Sequence, residues 1–507
     1  MGQGEISAGE PLKSLADLGL TAQANRRVNV TGLTVDSRAV KPGTLFAALP
    51  GTNFHGADFI GSAVQAGACA VLTDAVGARR ARETLEGADA ALIIAENPRQ
   101  TLAFAAALWF GHQPETMVAV TGTNGKTSVA TFARQIWAAL GLDAINLGTT
   151  GVEGAWSAPL AHTTPEPVQL HDLLARAEAE GITHAAMEAS SHGLAQYRLD
   201  GVRLAAAGFT NLSQDHLDYH PNFEAYFEAK AGLFDRVLPE EGVAVINMDD
   251  AYGPAMAERA RIRGQEVLRV GRQDSADLQI LNRVFTPTGQ ALRFSWRGGV
   301  YQVDLSLIGG FQGDNVLLAA GLVIAAGADP DRVFAVLPEM KTVRGRMQLA
   351  ARRETGAAVF VDYAHTPDAV ATALNALRPH VLGRMIAIVG AGGDRDRGKR
   401  PLMGAAAAQG ADQVIVTDDN PRTEDPATIR AAVMQGVRDA GGADHAREVA
   451  DRAEAILRGV DALQAGDALL ICGKGHETGQ IVGEDVLPFD DCEQASVAVA
   501  ALDGGGA

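Results

Sequence analysis

Residues 117–130 read MVAVTGTNGKTSVA: an apolar strand, a glycine-rich turn and residues able to open a helix. Gly122, Thr123, Asn124 and Gly125 can turn backbone N–H groups toward an anion, and the helix N-terminus adds positive partial charge. Lys126 can reach a terminal phosphate, Thr127 can hold Mg2+ through its hydroxyl, and Ser128 completes the cradle. The general phosphate-loop pattern has a glycine where this chain has Val120, so the turn is a shorter variant, supported by the strand before it and the helix pattern after it. The ligand implied is ATP.

Further strand ends finish in polar groups. MEASSHGLAQYRLD offers Glu188 for Mg2+, Ser190 and His192 as hydrogen-bonding groups and Arg198 for an anion, although a carboxylate followed by serines also describes a helix cap. NLSQDHLDYH gathers Asn211, Asp215, His216, Asp218 and His220; His216 and His220 have helical zinc-site spacing without an HExxH glutamate, so a metal role and a helix cap both stand. In PNFEAYFEAKAGLF the single basic residue is Lys230, which composition alone reads as a solvated lysine.

These groups need elements to position them. A chain of 507 residues exceeds what one hydrophobic core usually serves, and 47% apolar residues supply cores in plenty, so three α/β domains are expected. Residues 1–112 hold short apolar stretches at 45–49, 70–72 and 91–94 between alanine-rich helical patterns: a small N-terminal α/β domain. Residues 113–342 hold strands at 117–121, 184–189, 205–210 and 243–247 with helix-length spacers, the pattern of a central P-loop ATPase-like parallel sheet. Within them 278–307 alternates like an antiparallel extension before a helix beginning near Asn315. Residues 343–507 place strands at 358–362, 385–389, 413–417 and 468–472 before polar or glycine-rich loops, as in a C-terminal Rossmann-like doubly wound sheet with ligands at the strand C-termini.

The net charge of −18 opposes nucleic-acid binding, and small anions need local basic pockets such as residues 393–400. No apolar run reaches the roughly 20 residues of a membrane span, 316–328 coming nearest, and the first twenty residues encode no export or anchor signal. Cys69, Cys472 and Cys492 lack CxxC spacing and are expected to be reduced packing residues in a cytoplasmic protein. A monomer is expected.

In order along the chain, TGTNGKT, MEASSHGL, NLSQDHLDYH and YFEAKAGLF resemble the Mur ligases of bacterial cell-wall synthesis, and the likeness covers nearly the whole chain. It implies catalytic roles for Lys126, Lys230 and His216, with Lys230 carbamylated so that it helps organise Mg2+, and further metal contacts from Thr127, Glu188 and His216. TVDSRAVKPGTLFAALPG looks like the uridine-nucleotide segment of the MurE type, placing Val35, Ser37 and the loop of Thr52, Asn53 and Phe54 near UDP; by itself Asp36-Ser37-Arg38 is a surface turn. HTTPEP resembles the muramoyl-peptide loop, with Thr163 and Thr164 as contacts, His162 standing where asparagine is expected, and Ser190, Gln196 and Arg198 at further contact positions. Asn315, Arg346, Asp362 and His365 match the adenosine and phosphate surroundings, although each alone would pass for a cap, a surface charge or a turn.

The resemblance also implies which amino acid is joined. DNPR, residues Asp419, Asn420, Pro421 and Arg422, is associated in the MurE type with meso-diaminopimelate, whose second amino-acid head an arginine can grip bidentately. Arg395, with Arg397 as an equivalent cation nearby, Gly473 and Glu477 match the remaining contacts. The implied reaction is ATP-driven amide formation on UDP-MurNAc-L-Ala-D-Glu through an acyl phosphate. Rival readings are a folylpolyglutamate synthetase-like ligase, which would lack the DSR segment and DNPR, a lysine-adding relative, and an ATP-responsive scaffold.

Overall fold

The computed structural model describes residues 12–51, 54–160, 162–213 and 219–504. Thr52, Asn53, Asp215, His216 and Asp218, given roles above, lie outside the described residues. The chain divides into two compact units: Met1–Lys126 with Leu140–Arg269 and Leu322–Ala328, and Thr127–Ala139 with Val270–Gly321 and Asp329–Ala507.

The first unit opens on four parallel strands in chain order, Gly32–Thr34, Thr44–Ala47, Ala70–Thr73 and Ala91–Ile94. Every residue of the two inner strands is buried, which suits a parallel sheet covered on both faces. Leu45, Ala47 and Leu72 face one apolar cluster, and Phe46 and Val71 the other. The helix Pro98–Phe110 packs on the first of these clusters. Asn97 caps it by accepting from the Gln100 N–H, Pro98 presets the first turn, and Gly111 at φ 74° ends it in a left-handed conformation that L side chains rarely adopt.

The second sheet of this unit runs Val243–Asn247, Ala206–Phe209, Thr116–Thr121, His184–Glu188 and Ala144–Gly148, all parallel, with Gly151–Gly154 antiparallel at the edge. The strand before the phosphate loop lies between Ala206–Phe209 and His184–Glu188. Parallel pairing brings the C-terminal ends of all three together, so Gly122, Glu188 and Asn211 meet although they are far apart in sequence.

In the second unit, Leu278–Thr286, Gly289–Trp296 and Gly299–Leu305 form the expected antiparallel meander. The following helix, Gly310–Ala325, starts earlier than Asn315, because Gly309 at φ 90° makes the turn that releases it. The C-terminal sheet has the order Gln348–Arg352, Ala358–Asp362, Ala468–Cys472, Met385–Val389, Gln413–Val416 and Ala446–Glu448, parallel except for the first strand. Its side chains alternate between two cores: Phe360, Ala387, Val389 and Leu470 on one face, and Val359, Val361, Ile386, Ile388 and Ile471 on the other. That two-sided burial is the doubly wound architecture read from the sequence.

The helix Asp491–Asp503 is joined to the helix Arg452–Asp461 by a fully buried ion pair, and through it to the sheet. Arg452 donates from Nε and Nη2 to the two carboxylate oxygens of Asp491, both at 2.7 Å, and from Nη2 to the Cys472 carbonyl at 3.0 Å. Burial raises the thiols of Cys69, Cys472 and Cys492, the last to about 12, which fits their reading as packing residues.

Candidate active site

The phosphate loop closes on main-chain contacts. The N–H of Thr123 donates to the Asn211 carbonyl at 2.8 Å and that of Asn124 to Asn211 Oδ1 at 2.9 Å. Gly122 has φ 147°, and a Cβ there would lie 1.9 Å from Thr210 Oγ1, so only glycine fits. Gly125, at φ 87°, is the second left-handed position. Lys126 folds back over the loop, its Nζ donating to the carbonyls of Gly122 at 2.9 Å and Thr123 at 2.8 Å. Thr127 and Ser128 are buried at the start of the helix.

Lys230 is 1% exposed, not solvated as composition suggested. It sits on the helix Phe223–Gly232, which Asn222 caps through the Ala225 N–H, and donates to the same Gly122 carbonyl at 2.7 Å. Its Nζ also lies 4.5 Å from the Tyr226 ring centre, a cation–π contact. Two ammonium groups therefore converge on one carbonyl of the loop.

Glu188 is buried against Gly148, its Oε1 accepting from the Thr149 N–H at 2.8 Å. Thr164 donates to the Glu188 carbonyl at 2.9 Å and accepts from the Ser190 N–H at 3.1 Å, while Thr163 and Thr149 bond through their hydroxyls at 3.1 Å. Ser190 caps a short helix through the Gly193 N–H, the alternative weighed above. For Mg2+ the buried Glu188 carboxylate is a hard oxygen ligand of the type that ion prefers. Among the described residues no three His, Cys, Asp or Glu side chains cluster as a metal site.

Val35, Gln196 and Arg198 line a cavity of about 280 Å³ that also takes in Pro50, Arg99 and Glu166. Ser37 and Phe54 are not among its lining residues: Ser37 opens a one-turn helix capped by Asp36, and Phe54 is largely exposed. Arg99 was missed in the sequence; its only local signal is the NPR start of a helix.

The second unit gathers the remaining assignments. Asp362 lies half-buried at a strand end, accepting from the Met347 N–H at 2.7 Å, and desolvation raises its carboxyl despite nearby Arg346. Arg346 stacks over Tyr363 at 4.8 Å, and His365 bonds through Nδ1 to the Tyr363 carbonyl, its imidazole pushed down by burial. Asn315 is buried. One turn earlier, Gln312 is fully buried with neither amide atom hydrogen-bonded, a polar group the sequence reading did not single out.

Around DNPR the contacts are between side chains. Asn420 donates from Nδ2 to Glu477 Oε2 at 2.8 Å and accepts at Oδ1 from the Ile481 N–H at 2.9 Å. Lys474, fully buried, donates to Asn420 Oδ1 and Glu477 Oε2, each at 3.0 Å, and to the Gly479 carbonyl. Its position between the glycines of GKGHE is the signal that sequence reasoning passed over. Gly473 is required: at φ 119° a Cβ would lie 2.3 Å from Asp419 Oδ2. Arg422 has φ 51° and donates from Nη1 to the Gly393 carbonyl at 2.7 Å, leaving its charge without a carboxylate partner among the described residues. Arg397 pairs with Glu424 at 3.2 Å whereas Arg395 is exposed and makes no ion pair among the described residues, which separates two cations the sequence left equivalent.

A phosphate loop on one parallel sheet and a cluster of charged side chains at the strand ends of another are the parts of an ATP-dependent ligase that joins an acid to an amine. Residues 29–109, 120–323 and 345–475 match family models described in turn as Mur ligase family, catalytic domain; Mur ligase middle domain; and Mur ligase, glutamate ligase domain. The chain is 48% identical over 94% of its length, and 96% of the relative's, to the UDP-N-acetylmuramoyl-L-alanyl-D-glutamate--2,6-diaminopimelate ligase of Caulobacter vibrioides. It is also 48% identical to the ligase of that name from Bradyrhizobium diazoefficiens, over 93% of this chain and 95% of the relative. A solved structure of a ligase so named superposes with TM-score 0.72 at 35% identity, covering 97% of this chain and 99% of that one. MurF from Thermotoga maritima in complex with ADP shares the fold, with TM-score 0.58 at 19% identity over 88% of this chain and 94% of that one. The chain belongs to the Mur ligase family.

Proposed function

We propose that this chain joins meso-2,6-diaminopimelate to UDP-MurNAc-L-Ala-D-Glu at the expense of ATP, making the tripeptide precursor of peptidoglycan. The observation that carries the reading is the 48% identity over 94% of the chain to a ligase of that name. The domains proposed are 1–112 for the UDP end of the substrate, 113–342 for ATP and 343–507 for the amino acid. The enzyme acts in the cytoplasm as a monomer; no helix among the described residues is long and apolar enough to cross a membrane.

The substrate carboxylate attacks the γ-phosphorus of ATP, giving an acyl phosphate and ADP. The amine of diaminopimelate then adds to the acyl carbon, and the tetrahedral intermediate expels inorganic phosphate as the amide forms. Lys126 leaves the Gly122 and Thr123 carbonyls to meet the transferring phosphoryl group, whose charge it offsets. Mg2+, held by Thr127 and Glu188 with His216, would neutralise phosphate oxygens. A carbamate on Lys230 would turn that cation into an anionic oxygen ligand beside the loop; its buried position under Gly122 fits this, and an intact mass lacking the added CO2 together with an active Lys230→Ala variant would remove it.

Asn315, Arg346, Asp362 and His365 serve the nucleotide. Val35, Ser37, Thr52, Asn53, Phe54, Thr163, Thr164, Ser190, Gln196 and Arg198 serve the UDP-muramoyl-peptide. Arg422 grips the distal carboxylate of diaminopimelate, with Arg395, Asp419, Asn420, Pro421, Gly473 and Glu477 around its second head. An acyl phosphate is lost to bulk water, so productive turnover calls for the amine to be in place when it forms.

The test is incubation with ATP, Mg2+ and UDP-MurNAc-L-Ala-D-Glu, offering meso-diaminopimelate or L-lysine separately and weighing the product. A diaminopimelate tripeptide is expected. A lysine product would overturn the DNPR assignment, and no product with either would overturn the ligase.

A further inference from the structure

Arg99 and Arg198 share the wall of the 280 Å³ cavity, and neither has a carboxylate partner among the described residues. Each is held instead by neutral oxygens. Arg198 donates from Nη1 to the Thr164 carbonyl at 2.6 Å and from Nη2 and Nε to Gln196 Oε1 at 2.8 and 3.2 Å. Gln196 is itself oriented by Tyr219, whose hydroxyl accepts from its Nε2 at 3.0 Å. Arg99 donates from Nη2 to the Pro50 carbonyl at 2.5 Å. Such acceptors fix the direction of a guanidinium without cancelling its charge.

The carboxylate in the lining offsets the Arg198 charge only in part, acting on it less than Arg99 does in the opposite sense. Glu166 caps the helix Pro167–Ala179, its two oxygens accepting from the N–H groups of Val168 at 3.0 Å and Gln169 at 2.9 Å. That charge is matched to a helix N-terminus. Burial makes both guanidiniums easier to deprotonate than free arginine, and for Arg198 the nearness of Arg99 adds to it. Two like charges, half withdrawn from water and fixed in direction, repel each other in the free protein and gain most from a ligand that carries two adjacent negative charges.

We propose that Arg99 is a substrate-binding residue that forms, with Arg198, a two-guanidinium clamp for the diphosphate of the nucleotide-sugar substrate. The proposal rests on the ligase reading above. A carboxylate would neutralise one guanidinium and leave the other unmatched, whereas a diphosphate offers each its own oxygens; Arg198 keeps the second hydrogens of Nη1 and Nη2 for it, and Arg99 its Nε and Nη1.

The experiment measures binding of UDP and of uridine by calorimetry to the unmodified protein, Arg99→Gln and Arg99→Lys, with KM values for the whole substrate and for ATP. In R99Q the affinity for UDP should fall about ten- to hundredfold, that for uridine should hold, KM for ATP should hold, and R99K should recover part of the loss. Equal losses for UDP and uridine would mean a merely structural role and overturn the proposal. So would a raised KM for the whole substrate with UDP binding intact, since the clamp would then belong to a peptide carboxylate. An unmodified protein that makes the tripeptide while R99Q binds UDP normally would sink the clamp alone; an unmodified protein that neither binds UDP nor makes product would sink the ligase reading with it.

Discussion

At the phosphate loop the groups in contact are largely main-chain ones: between Gly122 and Gly125 the N–H groups of Thr123 and Asn124 bond Asn211, and two lysines rest on one carbonyl. Around Asn420 they are side chains bound to one another, with Lys474 joining Asn420 and Glu477. The first arrangement suits any nucleoside triphosphate, because a backbone cradle reads charge and shape. The second is suited to choosing between similar amino acids, since buried polar groups left unpaired by the wrong ligand are costly. Under the proposed function, the shared energy source and the selective step thus rest on different kinds of contact.

Lys126→Ala should show the largest effect, lowering turnover at least about a thousandfold, because no main-chain group can replace a cation on the transferring phosphoryl group; phosphate release measures it. Full activity in that variant would break the contrast at its strongest point. Lys474→Met should come next. It strips a buried cation from Glu477, Asn420 and the Gly479 carbonyl, costing about 3 kcal/mol of stability by denaturant titration, with KM for diaminopimelate raised and KM for ATP unchanged. Arg422→Ala should raise KM for diaminopimelate roughly thirtyfold, about 2 kcal/mol, and narrow the preference over L-lysine; unchanged selectivity would remove the assignment.

The smallest effect separates the two units by pH. In the first, burial holds the His171 imidazole down at about 4, so a neutral histidine favours folding above its ordinary value of 6.5 and the contribution fades as pH falls toward 4. In the second, hydrogen bonds from Arg400 and then from the Asp394 N–H hold Glu424 down at about 2, so its contribution is present above the ordinary 4.5 and is lost as pH falls toward 2. Hydrogen exchange during an acid titration should show His171's surroundings loosening first. Glu424→Gln should remove the lower step and spare the upper.

The phosphate loop was legible because its geometry is local: glycines at fixed spacing, a lysine and a hydroxyl lie in one contiguous stretch after an apolar strand. The sheets were legible for a related reason, since 243–246, 358–361 and 468–472 are unbroken apolar runs of the kind a sheet buried on both faces accommodates. Lys230 was not, because its burial depends on a loop more than a hundred residues away in sequence. Arg99 and Lys474 share that difficulty. A lysine or arginine is ordinarily a surface residue, and only the folded chain brings Pro50 to one and Asn420 to the other. The one-turn error at Gly310 has a different source: the polar residues of GGFQGDN resemble a loop, and the turn at Gly309 is what lets them be helix.

The buried Arg452–Asp491 pair gives the final helix a reach beyond its own packing. Arg452 also holds the carbonyl of Cys472, the residue before Gly473, so an alteration to the last helix reaches the backbone of the segment proposed to bind the amino acid. Proteolytic trimming within Asp491–Asp503 should therefore impair discrimination among diamino acids before it abolishes ATP binding, making the far end of the chain a remote control on what the enzyme selects.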